Sequence, residues 1–67
     1  MMITNNLQQI RLAKGLTQRS LADMAGVHWR SIQDHENRPG VEPLLPFAKK
    51  VAKALGVDIQ TIWPDDE

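Results

Sequence analysis

No cysteine occurs among the 67 residues. Disulfides, thiolate metal sites and cysteine nucleophiles are thereby excluded. No apolar run approaches the roughly 18 residues of a membrane span, and no signal peptide is visible. The expected location is therefore cytoplasmic, with no membrane partner. Net charge is also lacking: 8 Lys and Arg balance 8 Asp and Glu. That balance counts against bulk electrostatic binding to a polyanion. Internal repeats, low-complexity segments and alternating strand patterns are missing too.

What is there is compositionally ordinary: 42% hydrophobic, 24% charged and 4% aromatic. The length suits one domain, which buries roughly 60% of its unfolded surface. Residues 1–38 carry five Lys or Arg and three Asp or Glu, a balance of +2; residues 39–67 carry three and five, a balance of −2. Asp65, Asp66 and Glu67 read as a solvated acidic tail after a domain of residues 1–64.

Gly15, Gly26, Pro39-Gly40, Pro43, Gly56 and Pro64 punctuate the chain into helical windows. A first helix is expected from Asn5 or Asn6, either able to cap, to Lys14, with Leu7 and Ile10 on one face. Thr17 caps a second, Gln18 to Ala25, with Leu21, Ala22 and Ala25 inward. A third runs from Trp29 to Asn37 with Ile32 as its apolar anchor. The fourth, Leu45 to Leu55, takes Pro46 in its first turn and carries a stripe of Leu45, Ala48, Val51, Ala52 and Leu55. Asp58 can cap a short fifth, Ile59 to Trp63. The fold class is all-α, a compact five-helix domain.

The segment Gln18 to Asn37, QRSLADMAGVHWRSIQDHEN, carries the functional signal. Two helices that cross steeply over a short turn need a small residue midway along the first, and Ala22 supplies it. The turn needs a positive φ, which glycine adopts without steric cost. Gly26 supplies it four residues later. Leu21, Ala25, Val27 and Ile32 flank the turn and hold the third helix to the body. One face of that helix then points outward, free to enter a major groove.

These runs resemble the helix-turn-helix family of phage Cro and repressor proteins. GLTQRSLADMAGV is similar to the family's second helix and KKVAKALGV to its fourth, so the resemblance covers nearly the whole chain. It implies a lambda-repressor-like DNA-binding domain, with the helix-turn-helix at residues 18–37. It implies sequence-specific regulation of transcription, double-stranded DNA as partner, a homodimer on a palindromic operator, and a bacterial or phage-infected cell. The sequence departs from the family in three places. His35 stands at an apolar position, Arg38 replaces the glycine after Glu36, and His28 replaces the Ser or Thr that caps the third helix. The last is expected to forgo roughly 1 kcal/mol of capping.

Arg30 and Asp34 each lie about 160° around the helix from Ile32 and so face away from the core. Arg30 suits guanine O6 and N7, and Asp34 suits cytosine N4. The alternative is a solvated i,i+4 pair worth about 0.3–0.5 kcal/mol. Trp29 stands at what the resemblance marks as a base-reading position; packing between helices is the competing reading. Gln33 and Asn37 carry amides suited to bases or phosphates, or simply a solvated face. Gln18 resembles the family's phosphate-binding glutamine, placed where a helix N-terminus favours an anion. Arg19, Asn37 and Arg38 are further phosphate candidates, whereas Lys49, Lys50 and Lys53 read as solvated charge. The resemblance makes Arg11 and Glu36 a partly buried ion pair that holds the reading helix. His28 and His35 lie roughly 10 Å apart along one helix, too far to share a metal ion.

Trp63, with Ile59 and Ile62, is either core or a dimer contact. No triad logic, thiol, phosphate loop or metal cluster supports catalysis, so no enzyme activity, cofactor or small-molecule substrate is expected. An antitoxin or protein-docking module built on the same fold is the alternative to a DNA-binding regulator.

Overall fold

The computed structural model describes residues 5–64; the acidic tail at 65–67 lies outside the described residues. Within them the chain forms α1 (Leu7–Ala13), α2 (Gln18–Ala25), α3 (Trp29–Asn37), α4 (Leu45–Leu55) and α5 (Ile59–Ile62). α2 packs against both α3 and α4, α5 folds back on α4, and α1 closes onto α3.

Local chemistry accounts for the helix ends. Asn6 stands at the N-cap of α1, yet Asn5 supplies the side-chain bond, its Oδ1 accepting from the Leu7 N–H at 3.2 Å. The Asn6 amide instead donates to the Thr61 carbonyl at 3.0 Å, and its backbone N–H donates to the Ile62 carbonyl at 2.7 Å. The two ends of the domain are thereby joined. α2 starts at Thr17, whose Oγ1 accepts from the Ser20 N–H. It stops at Gly26, where φ is +70°, a conformation that a Cβ would strain. The turn is closed by the Val27 N–H donating to the Ala22 carbonyl at 3.0 Å. α4 carries its proline in the first turn, as expected. Asp58 precedes α5 without a side-chain capping bond.

The largest fully buried side chains are Leu7, Leu21, Ile32, Val51, Leu55 and Ile62, so every helix contributes to one core. Each is worth about 1.5–3 kcal/mol of hydrophobic burial. Ala22, Ala48 and Ala52 are buried between them. Their small size allows α2, α3 and α4 to approach closely. Trp63, 7% exposed, and Ile62 belong to this core. Core packing is thus observed for Trp63 and Ile62, with Ile59 partly buried against them. A buried indole offers little surface to a second copy.

Candidate nucleic-acid interface

α3 is attached along one stripe and open along the other. Ile32 is completely buried, whereas Arg30, Asp34 and Asn37 are exposed and Gln33 is half-buried. The 3.6-residue period separates these sets, because residues two positions either side of the anchor point away from it. Among the described residues Arg30 and Asp34 form no ion pair with each other. Both charged ends are free to meet an external partner.

His28 corrects one expectation. Its ring Nδ1 accepts from the Arg30 N–H at 3.1 Å, so an imidazole caps α3 where the loss of a cap was expected. The capping bond is not forgone, because an unprotonated imidazole nitrogen is an acceptor at about the right reach.

A single carboxylate ties α1, α2 and α3 together. Arg11 donates from Nε to Glu36 Oε2 at 2.6 Å and from Nη2 to Oε1 at 3.1 Å. Its Nη1 donates to the Leu16 carbonyl at 2.7 Å. Gln18 Nε2 donates to Glu36 Oε1 at 3.0 Å. The ionic side chains are only 8% and 2% exposed. A forked pair this dry is rigid, and its geometry satisfies the donors that burial would otherwise penalise. The Gln18 amide thus points along the surface towards α3 and keeps a second N–H. Thr17 engages the Ser20 N–H, leaving the first-turn N–H groups of α2 directed out of the helix end.

Arg19 and Arg38 are exposed. Arg38 ends α3, its backbone N–H on the Asp34 carbonyl at 2.8 Å. Trp29 is half-buried and packs against the core edge. The Arg19 Cζ lies 4.6 Å and the Arg30 Cζ 5.5 Å from its ring centroid. Arg30 adjoins Trp29 on α3, whereas Arg19 lies on α2 and only the crossing at Gly26 brings it to the ring.

At the far end of α3, His35 fills the apolar position noted in the sequence. Its ring stacks on Phe47 at 4.8 Å and meets the edge of Trp63 at 5.9 Å. The Asn5 amide holds its carbonyl at 2.7 Å. Burial pushes the imidazole below its ordinary 6.5, partly opposed by the Asp34 carboxylate. The His35 Nδ1 and the Trp63 Nε1 are both buried without a partner. The aromatic ring can substitute for an aliphatic side chain because its stacking offsets part of the lost apolar contact.

Val41, Leu44 and Leu45, in the loop before α4 and at its start, are 45%, 78% and 57% exposed. Leu45 was expected in the buried stripe of α4, but as the first residue of that helix it lies outside the packed turns.

A family profile described as Helix-turn-helix matches residues 7–62. The chain is similar to the restriction-modification controller protein C.AhdI from Aeromonas hydrophila, with 28% identity and a TM-score of 0.71. That match covers 84% of this chain and 83% of the other. It is also similar to the N-terminal DNA-binding domain of the master biofilm regulator SinR from Bacillus subtilis, with 29% identity and a TM-score of 0.79. There 92% of this chain and 88% of the other are covered. No curated protein sequence matches the chain.

Proposed function

The chain belongs to the helix-turn-helix family, and from that premise we propose that it is a sequence-specific DNA-binding regulator of transcription, of the phage Cro and repressor kind. The observation that carries the proposal is the open face of α3, uncovered by the rest of the protein while its opposite face is locked by Ile32 and the Glu36 network. A helix so held can enter a major groove without first reorganising.

In this reading Arg30, Gln33 and Asp34 address base edges, with Trp29 at the near rim of the same face. Gln18, Arg19, Asn37 and Arg38 contact phosphates. Gln18 is suited to its part because one amide N–H anchors to Glu36 and the other remains for an oxyanion. The zero net charge makes placed contacts, not bulk attraction, the source of affinity. The protein performs no chemistry on DNA; it acts by occupying a promoter. Among the described residues no helix is long and apolar enough to cross a membrane.

A homodimer would place two copies of α3 in successive major grooves about 34 Å apart, on a near-palindromic site. Val41, Leu44 and Leu45 offer exposed apolar surface that a second copy would cover. In-vitro selection of duplexes from a random pool, at low salt, tests both claims. A two-fold symmetric motif is expected. Absence of any enriched motif refutes the DNA reading and favours a protein-docking module. An asymmetric single half-site refutes the dimer.

A further inference from the structure

We infer that Trp29 is a positioning residue, a stacking platform that presets the Arg19 and Arg30 guanidinium groups for the DNA backbone and a base, in place of touching a base itself. The consequence for DNA rests on the function proposed above; the stacking in the free protein does not.

Three observations converge on this assignment. First, the indole is half-buried against the core edge, so its own freedom is small. Second, both cations lie over it, at 4.6 Å for Arg19 from α2 and 5.5 Å for Arg30 from α3. These distances fall within the roughly 6 Å over which a ring's quadrupole attracts a cation. Third, Arg19 has another partner within reach and does not take it. Asp23 is four residues on along α2 and lines the same cleft of about 350 Å³ as Arg19, His28 and Trp29. Among the described residues, Arg19 and Asp23 form no ion pair.

The geometry suits recognition. A guanidinium laid on an aromatic face keeps its in-plane N–H donors free at the edge, where phosphate oxygens and guanine acceptors bind. An unsupported arginine must give up its rotamer freedom on binding, and a stacked one has already lost part of it. One ring thus serves a contact on each of the two helices that frame the turn. In a protein without net positive charge, such preorganisation concentrates the few cations that matter. His28 stacks beside the ring at 6.0 Å while capping α3, which further limits the indole's movement.

The test has two arms. In the free protein, NMR reads the Arg19 and Arg30 side-chain protons, which the indole ring current shifts upfield. Trp29→Met, which keeps apolar volume against the core, should abolish the shifts, and Trp29→Phe should retain them in part. Unshifted arginine protons in the wild type overturn the inference whatever the DNA result. In the second arm, affinity for the selected duplex is measured by anisotropy for Trp29→Met, in the wild-type background and in an Arg19→Ala, Arg30→Ala background. The expected loss is about tenfold in the first, the size that ordering two long side chains implies, and close to none in the second. Equal losses in both backgrounds overturn it, because a direct base contact or a merely structural role is additive with the arginines. If the wild type binds no duplex, the proposed function fails, and the NMR arm alone decides the stacking.

Discussion

Replacing Glu36 with alanine should bring the domain close to unfolding. The Glu36 side chain is 2% exposed and accepts three hydrogen bonds, two from Arg11 and one from Gln18. Its removal leaves the Arg11 guanidinium, itself 8% exposed, with only the Leu16 carbonyl. Stranding one partner of a buried pair costs about 3–5 kcal/mol. A chain of this length is expected to have between roughly 3 and 10 kcal/mol of stability in total. The deletion therefore consumes a large share. Urea unfolding followed by far-ultraviolet circular dichroism measures the loss. The paired replacement Arg11→Met, Glu36→Leu removes both charges and should recover most of it, since an apolar pair of similar volume is often neutral or stabilising. A Glu36→Ala loss below about 1 kcal/mol would place the pair with ordinary surface bridges and refute the reasoning.

Arg30→Ala should cost about 1–3 kcal/mol on the preferred duplex and relax selectivity at one base pair; an unchanged selection logo removes Arg30 from the reading set. Gln18→Ala should weaken binding to all sequences alike, as a phosphate contact does, and a base-specific loss in the same binding assay contradicts that role. His35 has its folded-state pKa lowered by burial, so the unfolded chain binds the proton more tightly. Its stabilising contribution is complete above the ordinary 6.5 and is lost as pH falls from there towards the lower folded value. Melting temperatures between pH 7.5 and 5 should drop more for the wild type than for His35→Phe, and parallel curves would reject the linkage.

Much of the site was legible in the chain, and particular residues show where legibility stopped. Ala22, Gly26 and Ile32 announced the crossing and the anchored helix because a small residue, a positive-φ turn and an apolar period are local requirements. The limits of α2, α3 and α4 follow from the same signals. His28 reads as a weak cap in the sequence and acts as a real one in the fold, because an imidazole's value there depends on its tautomer and rotamer, which no spacing encodes. Gln18 is legible as a phosphate candidate through its resemblance to the family's glutamine at a helix start; its bond to Glu36 needs α2 and α3 to be assembled. The two tryptophans make the contrast plainest. Arg30 adjoins Trp29 in the chain, but no local signal brings Arg19 from α2 onto that ring or buries Trp63 among Phe47 and His35.

Helix order, the turn and the face that α3 presents were thus determined by the sequence alone, since hydrophobic period, glycine conformation and proline placement act within a few residues. Which polar groups meet was decided only by the tertiary structure. Arg11 reaches Glu36 across 25 positions, and Arg19 settles on Trp29 over Asp23, because packed helices choose neighbours in space that linear distance does not rank.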